Sequence, residues 1–209
     1  MLHFFHEFFG IFQIKMNKEN VYFYSSSHGK SSHWFPQHFR PLFHGSRRFN
    51  PPEIYAVGGR RMDQSVVDEV TEWAWEFSPR KKQYIVLNFG DNNIRGQEKP
   101  SEILPYFTEI VTRLEEIPYV MLVLTSLVPN YGDDITTKED FICMDDMLNT
   151  LARNSPKTRF CTFVGNLFQD GELYQGYFSQ DGVHLSTDGA RIFAQSIYQH
   201  LYRAPRIKN

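Results

Sequence analysis

The sequence is short of cysteine, of net charge and of long apolar runs, and each shortage removes a class of protein. Only Cys143 and Cys161 are present, too few for a disulfide framework, so two buried thiols are the expectation. The formal net charge is -2, which gives no overall polycationic field to hold nucleic acid or an anionic membrane. The longest strongly apolar run, residues 119–124, falls far below the roughly 20 residues that cross a bilayer, and no membrane span is expected. The eight histidines are scattered without paired ligand spacing, so no metal site is expected. No internal repeat or low-complexity tract is present.

What remains suits a soluble globular chain. Apolar residues make up 41% of the 209 residues and charged ones 22%, enough to offset the chain entropy lost on folding into one domain. Residues 1–14 are rich in Phe but have no Lys or Arg ahead of the apolar stretch and no small-residue cleavage site, so no signal peptide is expected. His3, His6, Glu7, Gly10 and Gln13 lie on one helical stripe, a pattern for a short amphipathic helix docked on the domain or on a partner. The expected organisation is an N-terminal extension over residues 1–19, one domain over 20–203 and a tail over 204–209, in a cytosolic protein.

Strand and helix signals alternate through the domain. Residues 20–24 read as a strand stopped by Ser25-Ser26-Ser27-His28-Gly29, a turn cluster. Residues 30–52 are interrupted by Pro36, Pro41, Pro51 and Pro52 and predict loops and short helical pieces. Strands are expected at 53–57, 84–89, 119–127 and 158–164, and helices at 62–77, 101–116, 138–154 and 187–201, from their periods of two and 3.6. Five strands separated by helices predict parallel pairing. The expected architecture is an α/β three-layer sandwich around a five-stranded parallel sheet, flavodoxin-like in the order 2-1-3-4-5.

Ligands of such sheets bind beyond the carboxyl ends of the strands. Ser27 follows the first strand, Gly58-Gly59 the second, Gly90-Asp91-Asn92-Asn93 the third and Asp181-Gly-Val-His184 the fifth. All four loops therefore share one edge. A serine hydroxyl becomes a nucleophile when a base takes its proton, and the base works best when a carboxylate fixes its tautomer. His184 and Asp181 can fill those roles toward Ser27. Negative charge that develops on a substrate carbonyl needs donors, and the Ser27 N–H, the Gly59 N–H and the Asn92 amide are candidates. Taken singly, each of these residues is as well explained by a turn, a helix cap or a surface histidine; the joint placement is what points to chemistry.

The segment Asp181-Gly-Val-His-Leu-Ser-Thr-Asp-Gly-Ala-Arg-Ile-Phe-Ala resembles the last conserved block of the SGNH hydrolases, the superfamily of GDSL-type esterases and lipases. Gly90-Asp91-Asn92-Asn93 is similar to its third block, with Asn92 in the place of the oxyanion asparagine and Asn93 where an acid is usual. Val57-Gly58-Gly59-Arg60 resembles the second block, with Gly59 as N–H donor. Ser25-Ser26-Ser27-His28 stands where the first block has Gly-Asp-Ser, which makes Ser27 the nucleophile. The resemblance covers about residues 20–203 and implies the three-layer fold and hydrolysis of a small-molecule acyl or acetyl ester without metal or organic cofactor.

It also implies an alternative, since some members have lost catalytic residues and serve as binding modules for RNA or protein. In residues 30–48 the cations Lys30, Arg40, Arg47 and Arg48 alternate with His33, Trp34, Phe35, Phe39 and Phe43, a mixture suited to single-stranded RNA, and Arg60, Arg61, Arg80, Lys81 and Lys82 would extend it; aromatics beside proline are more often core or lid packing, and exposed charge runs more often only solvated. Lys30, Trp34 and Arg60 are the expected contacts to substrate or RNA. Residues 30–52 and 169–178, with Tyr174, Tyr177 and Phe178, are expected to wall the pocket.

Overall fold

The computed structural model describes residues 18–30, 34–76 and 82–204. Five strands run in parallel: β1 (Asn20–Ser25), β2 (Glu53–Ala56), β3 (Gln83–Asn88), β4 (Val120–Thr125) and β5 (Thr158–Cys161). Their order is β2-β1-β3-β4-β5, the order expected from the helical spacers. The proposed N-terminal helix lies outside the described residues up to residue 17, as do His33, Arg80 and Lys81.

Among the described residues, six helices accompany the sheet: α1 (Phe35–Phe39), α2 (Gln64–Glu76), α3 (Asp91–Arg95), α4 (Pro100–Glu115), α5 (Ile135–Arg153) and α6 (Thr187–Arg203). Because successive side chains of a strand point to opposite faces, the sheet feeds two cores. Ile85, Leu87, Leu122 and Leu124 pack with α2, α4 and α5. Val21, Phe23, Tyr84, Val86 and Val123 pack with α1 and α6.

Element ends depart from the sequence expectation where polar groups take over from the ladder. The 119–127 run stays buried beyond Thr125, and Phe163 is buried beyond Cys161, yet the strands stop at Thr125 and Cys161. The Ser126 hydroxyl accepts from the Phe163 and Val164 N–H groups at 3.0 and 3.4 Å and turns the chain into the 3-10 segment Val164–Leu167. Helix α5 begins earlier than expected because the Asp134 side chain accepts from Thr137 N at 2.8 Å, satisfying one of the N–H groups a helix start leaves unpaired. A two-stranded hairpin, β6 (Phe168–Gln169) and β7 (Glu172–Leu173), follows β5 and was not expected.

Two expectations need correction. Cys161 is buried, but Cys143 is exposed on α5. The phenylalanines of residues 30–48 are core and not pocket wall: Phe35 and Phe39 are fully buried and Phe43 is 2% exposed. Phe35 lies 4.5 Å from the Phe23 ring and 4.9 Å from Phe193 of α6, and Phe163 stacks on Phe193 at 4.2 Å. Pro36 at the first turn of α1 starts a helix, as its missing N–H permits, and the short helix carries these rings inward.

Phe193 thus joins β1, α1 and the loop after β5. Phe193→Ala should lower stability by about 3–5 kcal/mol in urea denaturation, whereas Trp75→Ala, at a side chain 60% exposed, should change it by about 0.5 kcal/mol or less.

Candidate active site

The chain leaves β1 through three serines whose hydroxyls differ in partner. Ser25 Oγ donates to the Ser26 carbonyl at 3.2 Å, and Ser26 Oγ donates to Asp91 Oδ1 at 2.8 Å; both side chains are fully buried. Ser27 opens the 3-10 turn Ser27–Gly29 and keeps 7% exposure. Among the described residues its hydroxyl is the one of the three not engaged within the turn or with Asp91. Gly29 allows the turn to close, because a β-carbon there would collide with the Ser25 hydroxyl and lie 2.8 Å from the Phe23 ring.

Asp91 braces this turn from below. It is 2% exposed, starts α3 beyond β3, accepts from Ser26 across 65 positions of sequence and pairs with Arg95 at 3.2 Å. His28 Nε2 lies 3.5 Å from its other oxygen. A carboxylate so buried is stable only when paired and hydrogen-bonded. Where the first block of the resembled family carries an acid, this chain has a serine at 26, and the acid comes instead from 91. The next residues divide the remaining work. Asn93, where an acid was expected, binds both backbone groups of Met62, at 2.7 Å to its N–H and 2.9 Å to its carbonyl, and so ties the loop after β2 to the loop after β3.

That tie brings two of the three expected oxyanion donors together. Asn92 Nδ2 donates to the Arg60 carbonyl at 3.0 Å, immediately beside Gly59, and an amide nitrogen has a second N–H to offer. Gly59 adopts φ +72° in open space, a conformation that side chains disfavour, with its backbone exposed at the rim.

The loop after β5 holds the histidine expected as base. Asp181 Oδ2 lies 2.7 Å from His184 Nδ1, while Oδ1 accepts from Val183 N, His184 N and Ser179 Oγ at 2.9, 3.0 and 2.7 Å. Partial burial works to raise the Asp181 pKa, but the hydrogen bonds from His184, Ser179 and the two backbone N–H groups outweigh it and hold the carboxyl well below the usual range. An ionised Asp181 places the imidazole proton on Nδ1 and leaves Nε2 as the basic nitrogen. The His184 ring centroid is 5.8 Å from that of His28, so the loop folds over the turn that begins with Ser27.

The other expected contacts divide. Lys30 packs its aliphatic stem and amine against Gly58 at the same rim. Trp34 is 47% exposed. Arg60 is committed within the fold, to Glu69 at 2.5 Å and to the Tyr24 hydroxyl at 3.4 Å. Arg48 is likewise spent on Glu19, the Tyr84 hydroxyl and the carbonyls of Tyr202 and Ala204. Among the described residues, Trp34 of the expected stacking rings is exposed, while Phe35, Phe39 and Phe43 are buried.

Two residues escaped the sequence reading. Asp91 stood one place before Asn92 and read as a turn. Asp145 stood in the middle of a helix, yet with Phe141, Met144 and Leu148 it falls on the buried stripe, and an acid in that position is the signal. Burial pushes its carboxyl up to about 7, against the Leu127 N–H that donates to it at 3.0 Å.

The family model described as GDSL-like Lipase/Acylhydrolase family matches residues 20–192. Similar solved structures include a member of the lipolytic protein G-D-S-L family from Veillonella parvula, at TM-score 0.74 and 14% identity over 89% of this chain and 100% of that one. A carbohydrate esterase family 3 structure from Talaromyces cellulolyticus aligns at TM-score 0.68 and 12% identity, over 88% and 97% of the two chains. Est24, a carbohydrate acetylesterase from Sinorhizobium meliloti, aligns at 0.62 and 12%, over 88% and 99%. At such identities the likeness is one of fold. No curated protein matches the chain.

Asp91→Ala strands Arg95 and Ser26 and should cost about 3 kcal/mol or more in urea denaturation; Arg61→Ala, which removes an exposed pair with Glu98, should cost about 1 kcal/mol or less. Asp145 makes the stability depend on pH. Its folded pKa is raised, so the stability linked to its proton is fully present below the unfolded value of about 3.9 and is lost as pH rises through about 7. Asp145→Asn keeps an acceptor for Leu127 N and does not titrate. Its melting temperature should match the wild type near pH 4 and exceed it at pH 8 by roughly 2–4 °C, on the order of 1 kcal/mol.

Proposed function

Since the chain belongs to the GDSL-like lipase/acylhydrolase family, we propose that it hydrolyses acyl or acetyl esters of small molecules through Ser27, His184 and Asp181. Ser27 Oγ attacks the ester carbonyl carbon as its proton passes to His184 Nε2. The charge on the carbonyl oxygen is met by the Ser27 and Gly59 N–H groups and the Asn92 amide. When the tetrahedral species collapses, the C–O bond to the alcohol breaks and His184 returns the proton to the departing oxygen. Water, deprotonated by His184, then attacks the acyl-serine and releases the acid, restoring Ser27. Asp181 stays ionised throughout and stabilises the imidazolium formed in each half.

The observation that carries this reading is the 2.7 Å contact between Asp181 and His184, on a loop folded over the turn that Ser27 opens. General-base activation requires an acid–imidazole pair within reach of a hydroxyl, and the first half of that requirement is what supports the reading. Lys30 and Trp34 stand at the rim of this site in the proposal, where they can meet the alcohol part of the substrate.

Hydrolysis of p-nitrophenyl acetate tests it. Asp181→Asn should lower kcat by about 10⁴-fold through the wrong tautomer, and Asn92→Ala by about 10²–10³-fold. A Ser27→Ala enzyme that retains the wild-type rate would refute the proposal.

A further inference from the structure

The edge strand β5 and the last helix α6 leave between them a cleft of about 420 Å³, within the range of small-molecule sites. Arg159 and Cys161, two positions apart on β5 and so on one face of the sheet, line it from one side. Ser196, Gln199, His200 and Arg203 line it from the other, at the spacing that puts them on one stripe of α6. Asn166 of the segment Val164–Leu167 closes one end by donating to the Ser196 hydroxyl at 3.2 Å. None of the residues expected at the ester site lines this cleft. Strand β5 is three places from β1, roughly 14 Å at the usual strand spacing.

The charge in this cleft is of one sign. Among the described residues no Asp or Glu lines it, and neither arginine has a carboxylate partner. Arg159 spends Nη1 on the carbonyls of Pro156 and Thr158, at 3.4 and 2.7 Å, which leaves Nε and Nη2 to offer. The Arg203 guanidinium makes no hydrogen bond or ion pair among the described residues. Glu19, whose charge reaches the Tyr84 hydroxyl as that of Arg159 does, is already taken by Arg48 at 2.6 Å. Burial first, and then the charge of Arg159, hold the His200 imidazole below its ordinary value, so the two arginines carry the positive charge near pH 7.

Two guanidinium groups without acids, set beside hydroxyls and amides, select a ligand class. A phosphate monoester carries about -1.5 to -2 charges at pH 7, enough to match both arginines, whose planar forks fit its oxygens in pairs. A carboxylate would leave one cation over. Ser196, Gln199 and Asn166 offer hydroxyl and amide groups suited to the hydroxyls of a sugar, and among the described residues no Phe, Tyr or Trp lines the cleft to stack a nucleobase. We propose that this cleft binds a sugar phosphate, with Arg159 and Arg203 on the phosphoryl group and Asn166, Ser196 and Gln199 on the sugar. The inference is independent of hydrolysis at Ser27.

Titration calorimetry of the full chain with glucose 6-phosphate tests it, with inorganic phosphate, glucuronate and AMP as comparisons. Glucose 6-phosphate should bind more tightly than each of the three by about tenfold or more, because groups placed for both the phosphoryl and the sugar go unpaired in the others. Arg159→Gln and Arg203→Gln should each weaken it by about tenfold or more, the loss of one charge-assisted contact. Arg191→Gln, which removes an exposed pair with Asp188 on the same helix but outside the cleft, should bind as the wild type does. Arg159 also holds the Thr158 carbonyl at the sheet edge, so the deciding variant is Arg203→Gln, at an exposed position in the last turn of α6. No binding of glucose 6-phosphate, equal affinity for any comparison compound, or undiminished affinity in Arg203→Gln overturns the proposal.

Discussion

A single buried carboxylate, Asp91, joins the two halves of the site. Parallel strands end at one edge of a sheet, but nothing in that rule fixes a loop after β1 against a loop after β3. Asp91 does so by accepting from Ser26 and pairing with Arg95, in a place where an unpaired charge would be costly. With the turn held at Ser26, the next hydroxyl, that of Ser27, is presented at the edge. Asn93 extends the same tie to the loop after β2, and Asn92 and Gly59 are carried with it.

The arrangement shows how the turn Ser25-Ser26-Ser27 is held where the resembled family has Gly-Asp-Ser. An acid and a hydroxyl meet at the base of the turn, with the acid supplied by Asp91 of the loop after β3. The missing glycine is offset in a different way. Ser25 folds its hydroxyl back onto the Ser26 carbonyl, and the close approach falls to Gly29, where a β-carbon would not fit. The local geometry of the turn is therefore a property of two segments together.

This is also why the sequence revealed some features and hid others. The parallel order was legible because every pair of strands is separated by enough chain for a crossover, and β3 and β4 are unbroken apolar runs of the kind buried on both faces. The loop Asp181 to His184 was legible because its partners are three residues apart. Asp91 and Ser26 are 65 positions apart, and no local pattern links them. Phe35, Phe39 and Phe43 left two readings open because aromatic rings beside cations suit a surface as well as a core; Phe193 on α6 decides for the core by packing against Phe35. Strand ends were overrun because Leu127, Val128 and Phe163 remain buried after the ladder has stopped.

The account rests on Ser27 being an activated nucleophile and not merely a turn residue. The most direct measurement is reaction of the folded protein with a fluorophosphonate, followed by mass spectrometry of its peptides. One adduct per chain, located on Ser27 and absent from His184→Ala, is the expected result. A protein that stays unmodified under conditions where it is folded, or an adduct on Ser25 or Ser26 instead, would contradict it.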